Sequence, residues 1–330
     1  MELVKKLGLL LLAILLLAGC SMPGDAAEVK QEKEYKIGIL LSTTGLGDDS
    51  FNDSAFRGLE RARDELGVLF DYKEAPDGDL EEKLTELVEE KNDLVIGLGF
   101  TAQEPLEKIA KKYPKQQFLL IDAVSELPNI ASITFKEHEG SFLVGMAAAM
   151  ASRSNTLGFI GGEDAEVIHH FEQGFIQGAR HVKPDIKILT EYAGSFSDAE
   201  LGGKIAETQI SKGADFIYPA AGFTGYGALQ KAQEKKVHAA GVDSDQFFVA
   251  EKAIITSMLK NIDVAVYDIA KLLKEKGKIE QHAFVLGLAE NGVGLAELRA
   301  FPFSEEQKKA LTAAKDEIIA GDIIVNSTKP

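Results

Sequence analysis

From residue 35 onward the sequence alternates short apolar runs with stretches of helical periodicity, and this alternation limits the fold more than any other feature. The runs at 35–42, 94–99, 117–122, 130–135, 156–161, 186–192, 215–220, 238–243 and 254–258 read as strands. Between the first two, 50–66 sets Phe51, Ala55, Leu59, Ala62 and Leu66 on one stripe of a 3.6-residue period, and Ser50 with Asp53 has the form of a capping box. Strands that are apolar throughout are buried on both faces. The pattern therefore predicts an α/β fold in which parallel sheets carry helices on each side.

The chain also resembles itself. At an offset of 120 residues Gly38, Phe51, Gly58 and Tyr72 fall on Gly158, Phe171, Gly178 and Tyr192. Gly99-Phe100-Thr101 falls on Gly222-Phe223-Thr224 at 123, Asp122 on Asp243 at 121, and Lys136 on Lys260 at 124. Pairs that keep their order while the offset drifts slowly point to two similar halves. The expected division is a leader at 1–19 and a tether at 20–34. A first lobe follows at 35–136, with part of about 259–283 returning to it, and a second at 137–258, with about 284–330. Ligands of open parallel sheets sit beyond the carboxyl ends of the strands. The candidate positions are accordingly 42–51, Phe100, Asp122, 194–196, Gly222 with Phe223, 243–245 and Lys260.

Each candidate has two readings. Phe51 offers a flat face to a ring, or staples a helix to the sheet; Asn52 offers both a donor and an acceptor. Asp122 and Asp243 end apolar strands, where a carboxylate needs donors; sugar hydroxyls supply them, or the residue caps the next helix. Lys260 either reaches the cleft or is solvated, and Phe196 sits on a polar turn where a core aromatic is less expected.

Composition removes several classes of function. The 330 residues carry 36 Lys and Arg against 52 Asp and Glu, a formal charge of −16 with no prominent basic cluster, which argues against nucleic acid polymer as a partner. Gly45 and Gly47 are followed by Asp48 and Asp49 rather than by a dinucleotide fingerprint. No nucleophile elbow, phosphate loop or catalytic cysteine is present, and His138, His169 and His170 match no metal-site spacing, so they read as surface histidines. The expectation is a protein that is no enzyme, with no catalytic residues, no metal and no cofactor.

Residues 7–19 are apolar, follow Lys5 and Lys6, and are too short for a membrane span, as in a cleaved export signal. Leu17-Ala18-Gly19-Cys20 resembles a lipobox, which implies that Cys20, the sole cysteine, becomes the lipidated N-terminus. Acyl chains anchor a protein through burial of their methylenes, without help from the fold.

Gly45-Leu46-Gly47-Asp48-Asp49-Ser50-Phe51-Asn52 is followed in order by Gly194-Ser195-Phe196-Ser197-Asp198 and Ala221-Gly222-Phe223-Thr224-Gly225. Next come Gly241-Val242-Asp243-Ser244-Asp245-Gln246 and Thr256-Ser257-Met258-Leu259-Lys260. With the lipobox, this series resembles the basic membrane protein family of substrate-binding lipoproteins, of the purine-nucleoside receptor type, which serve ABC importers. The resemblance implies a type I periplasmic-binding-protein fold: two doubly wound lobes, three hinge crossings and a nucleoside between them. It implies a base stacked between Phe51 and Phe196 or Tyr218, with Asn52 and Asp122 bonding base or ribose. Asp243 and Lys260 would meet sugar hydroxyls and Gly222 would let backbone approach. The implied partners are a nucleoside, an ABC permease and ATPase, and the membrane through lipidated Cys20. The chain would act as a monomer lipid-anchored to the cell membrane, on the extracytoplasmic side. The chain departs from the family pattern at Ser42, where many relatives carry Asp, and at Phe223, where relatives often have Gly; Ser42 is included among the ligand-binding positions. Alternatives are a ligand-sensing or regulatory lipoprotein of the same family, another small sugar-containing ligand, or a nucleoside hydrolase. The last is disfavoured by the lack of paired metal-binding aspartates at one strand end.

Overall fold

A computed structural model describes residues 33–328 of the chain. The leader at 1–19, Cys20 and nearly all of the tether lie outside the described residues.

Two six-stranded sheets form within a single unit that begins at residue 34. The first is built from β1 (Lys36–Leu40), β2 (Leu69–Lys73), β3 (Leu94–Leu98), β4 (Gln117–Ile121), β5 (Ile130–Phe135) and β11 (Ala283–Leu286), in the order β2-β1-β3-β4-β5-β11. The second is built from β6 (Thr156–Gly161), β7 (Lys187–Tyr192), β8 (Phe216–Ala220), β9 (His238–Asp243), β10 (Ile254–Lys260) and β12 (Val293–Leu295), in the order β7-β6-β8-β9-β10-β12. The two orders are the same, as the internal repeat requires. All pairings are parallel except that of β12 with β10. Apolar strands explain the arrangement: every residue of β3 and β8 is buried, so both sheet faces need cover.

Helices α1 (Phe51–Leu66), α2 (Leu80–Glu89) and α3 (Gln103–Lys112) cover the first sheet. Helices α4 (Glu137–Ala151), α5 (Glu166–Val182), α6 (Ala199–Ser211) and α7 (Gly222–Glu234) belong to the second. The chain changes lobe three times. After β5 it enters α4, which packs on α5 and on β10 and β12; after β10 it returns through α8 (Ile262–Lys276), which packs on α1. After β11 it crosses once more to β12, and α9 (Glu305–Ala320) then packs on α4. The segment returning to the first sheet thus runs on past 283 through Leu286, because the four residues of β11 pair with β5. The first two crossings are short, so α4 and α8 are each held against a partner helix from their first turn. Helix α4 is buried on nearly all sides, including Glu137 in its first turn.

The expected capping box at the start of α1 does not form. The Ser50 side chain makes no capping bond; instead Asp48 accepts from the backbone N–H groups of Ser50, Asn52 and Asp53. A carboxylate does the same work as a serine hydroxyl at a helix start and adds a favourable charge there. This leaves the Ser50 hydroxyl free to reach the other lobe.

Candidate functional site

Both sheets point their carboxyl ends at a cleft whose empty space, counting its mouth, is about 700 Å³. The first lobe contributes Ser42, Thr43 and Thr44 after β1, Phe51 from α1, Phe100 after β3 and Asp122 after β4. The second contributes Glu163 after β6, Val167, Ile168 and Phe171 from α5, Phe196 after β7, Gly222 after β8 and Asp243 at the end of β9. Lys260 closes the floor at the second crossing.

The floor is ionic and nearly dry. Lys260 Nζ lies 2.6 Å from Asp122 Oδ2 and 2.9 Å from Glu137 Oε1, and the three side chains are 2%, 6% and 2% exposed. Glu137 Oε2 lies 3.2 Å from His170 Nδ1. Burial opposes the charge on Lys260, but Asp122, Glu137 and Asp243 outweigh it and hold the amine above the ordinary lysine value. Burial pushes the Asp122 carboxyl up to about 6 against the pull of Lys260. For Glu137 the balance falls the other way: burial raises it, yet Lys260 and His170 hold it below its ordinary value. Asp243, also buried, is pushed up to about 6 while Ser50 Oγ donates to its Oδ2 at 2.5 Å. The other oxygen of Asp122, Oδ1, is buried with no hydrogen-bond partner.

Over this floor stand aromatic walls. The Lys260 ammonium is 5.3 Å from the Phe51 ring centroid and 5.6 Å from that of Phe171. Phe100 and Phe196 meet edge to face, with centroids 6.5 Å apart, although they come from different lobes. Three polar contacts also join the lobes: Ser50 to Asp243, Arg57 Nη2 to Ser244 Oγ at 2.8 Å, and Gln246 Nε2 to the Asp49 carbonyl at 3.2 Å.

Of the candidate positions, Ser42, Phe51, Asp122, Phe196, Gly222, Asp243 and Lys260 line the cleft. Asp122 and Asp243 cap no helix, and Lys260 is not solvated. Four expectations are corrected. Tyr218 is fully buried within β8, its hydroxyl 3.0 Å from Ser141 Oγ and its ring against Phe159 and Phe175, because a mid-strand side chain faces a helical layer rather than the strand end. Asn52 lies beneath the cleft wall: its amide donates to Ser42 Oγ and Asp48 Oδ2, and its Oδ1 accepts from the Ser42 N–H. It holds the loop rather than facing a ligand. Phe223 is stacked on Tyr226 and does not line the cleft, so it neither stacks on a ligand nor narrows the space. His170 and His138 are half-buried, not surface residues; their rings lie 5.9 Å apart, edge to face. Sequence reasoning missed Phe171 and Glu137 as site residues. Phe171 sits at the repeat offset from Phe51, a signal that was available.

A family model described as "Bmp: ABC transporter substrate-binding protein PnrA-like" matches residues 36–329. The chain belongs to this family. Bmp proteins are substrate-binding proteins rather than enzymes, and this chain is an ABC transporter substrate-binding protein. It is similar to the Lactococcus lactis protein named ABC transporter nucleoside-binding protein BmpA, at 34% identity over 96% of each chain. An uncharacterised lipoprotein of Pyrococcus abyssi is 35% identical over 96% of this chain and 84% of its own length. A solved ABC transporter solute-binding protein from Aeropyrum pernix K1 superposes with a TM-score of 0.82 at 28% identity, covering 90% of this chain and 94% of that one. The Bmp fold here is thus the type I binding-protein fold with two lobes and a hinge. Among the described residues no helix is long and apolar enough to cross a membrane.

Proposed function

We propose that this Bmp protein binds a purine nucleoside between its lobes, as a monomer anchored outside the cell membrane through lipidated Cys20, and hands it to an ABC permease and its ATPase. The observation that carries the reading is the pairing of aromatic walls with a carboxylate-rich floor. Phe51, Phe100, Phe171 and Phe196 offer apolar faces to a base, and stacking on such a face contributes about 1–3 kcal/mol per base. Beneath them, the free Oδ1 of Asp122 accepts from a hydroxyl, and Asp243 offers a second acceptor for a ribose.

The charge of the floor narrows the ligand further. Asp122, Glu137 and Asp243 surround one ammonium, so an added phosphate meets net negative charge in a dry site. Nucleosides fit and nucleotides do not. One relative carries nucleoside binding in its name, which supports a nucleoside as the ligand.

The test is a thermal-shift and calorimetry panel of nucleosides, free bases, pentoses and nucleoside monophosphates on the chain lacking residues 1–20. A ligand at one hundred times its Kd adds about 2.7 kcal/mol of stability, which is easily seen as a rise in Tm. A purine nucleoside is expected to give the largest rise and its monophosphate none. Heat with a free sugar but with no nucleoside would sink the reading.

A further inference from the structure

Glu137 belongs to none of the motifs at the strand ends, yet it is among the most buried charges of the described residues. It stands where the chain first crosses between lobes, and Lys260 stands where it crosses back. Both Glu137 oxygens are engaged, Oε1 by Lys260 and Oε2 by His170. Asp122 is engaged through one oxygen only. An ammonium has three N–H groups, and Asp122 and Glu137 take two of them. The ammonium also lies 5.3, 5.0 and 5.6 Å from the ring centroids of Phe51, Phe135 and Phe171, and Phe51 and Phe171 line the cleft together with Asp122.

We propose that Glu137 is a positioning residue for ligand recognition: it pins the Lys260 ammonium so that one Lys260 N–H and Asp122 Oδ1 face the cleft as a donor–acceptor pair. Such a pair matches two neighbouring hydroxyls, one donating to the carboxylate and one accepting from the amine. The inference rests on the nucleoside reading for the identity of that diol. Without Glu137 a flexible four-carbon stem has one anchor, Asp122, and the ammonium is free to take both of its oxygens. The acceptor would then be lost to the ligand. The two carboxylates divide the work: Lys260 and His170 keep Glu137 ionised as the fixed counter-ion, while burial leaves Asp122 the more easily protonated.

Asp122 is faced by Lys260 from β10, Glu137 from α4 and His170 from α5, with Asp243 of β9 also within electrostatic reach. The negative charge of Glu137 raises the Asp122 carboxyl, so its removal lowers that carboxyl. Glu137→Gln keeps an acceptor for Lys260 and removes only the charge. Glu137→Ala removes both.

Binding of inosine and adenosine is measured from pH 4.5 to 8 for the wild type and both variants, with Tm as the control for folding. Glu137→Ala is expected to weaken binding about tenfold or more, as loss of a hydrogen bond to a charged group does. Glu137→Gln is expected to bind more nearly like the wild type but with the acid limb of its pH profile moved to lower pH. Carbon-13 NMR of the aspartate carboxyls in ligand-free protein reads the same shift without any nucleoside. If neither nucleoside binds the wild type while the Asp122 titration still moves, the nucleoside reading falls and the positioning role stands. An Asp122 titration and acid limb unmoved in Glu137→Gln would overturn the proposal, as would wild-type affinity in a folded Glu137→Ala.

Discussion

Asp122 and Asp243 end equivalent strands, and both adopt left-handed backbone, with φ of 69° and 64°. Such a conformation costs a residue other than glycine about 1–2 kcal/mol, and aspartate tolerates it better than most. It turns each carboxylate away from the strand and into the cleft. Both carboxyls are raised to about 6, first of all by burial. A carboxyl whose folded value lies above its unfolded 3.8 favours the folded state while protonated, and that stabilisation is lost as pH rises from about 4 through about 6. Hydroxyl donors from a ligand favour the ionised form. Nucleoside affinity is therefore expected to fall as pH drops below 6, with proton release on binding near pH 6, measurable by calorimetry in buffers of different ionisation enthalpy. Phe51→Ala is expected to weaken binding roughly tenfold, in line with a stacking contribution of about 1–3 kcal/mol. Tyr218→Phe is expected to leave affinity unchanged and cost about 1 kcal/mol of stability, since its hydroxyl bonds Ser141 rather than a ligand. These residues also show what the sequence could disclose. Strand-end positions were legible because topology alone puts them at the cleft; Tyr218 misled because an aromatic inside a strand looks the same in sequence whichever layer it faces.

At the scale of elements, the repeat explains more than the strand order. Gly58 of α1 and Gly178 of α5 hold equivalent places, and each lets the helix that follows a crossing come close. A Cβ on Gly58 would lie 2.5 Å from the Asp263 carbonyl of α8, and one on Gly178 would lie 1.8 Å from the Phe142 carbonyl of α4. Alanine in a helix gains about 1 kcal/mol over glycine where space is free. Here the obstacle is backbone, so the overlap is expected to dominate: Gly178→Ala should lose about 1–3 kcal/mol or more in urea unfolding, and Gly58→Ala less. Both glycines were visible as repeat partners, though not the reason for them. The strands β2, β11 and β12 escaped notice for a different reason. β2 is an edge strand with mixed exposure, and β11 and β12 are four and three residues long, so none carries the continuous apolar run of an interior strand. Their places are set by the neighbours they pair with, which is information from far along the chain.

For the molecule as a whole, closure joins residues nearly two hundred positions apart. Ser50 to Asp243, Arg57 to Ser244 and Gln246 to the Asp49 carbonyl fasten the lobes beside the cleft. Arg57 is exposed and touches no cleft residue directly, so Arg57→Ala separates closure from ligand contact. Affinity is expected to drop by a few-fold, consistent with a bond worth about 0.5–1.5 kcal/mol, and small-angle scattering should show a more open average shape. The three crossings carry a further consequence, one of time. The first lobe takes α8 and β11 from a stretch that ends at Leu286, so it stays one helix and one strand short until nearly all of the chain has emerged. Neither lobe can mature early and alone. Contacts spanning so much of the chain make folding slow, and a slow-folding chain remains loose enough to be threaded through a narrow channel before its final shape locks it out.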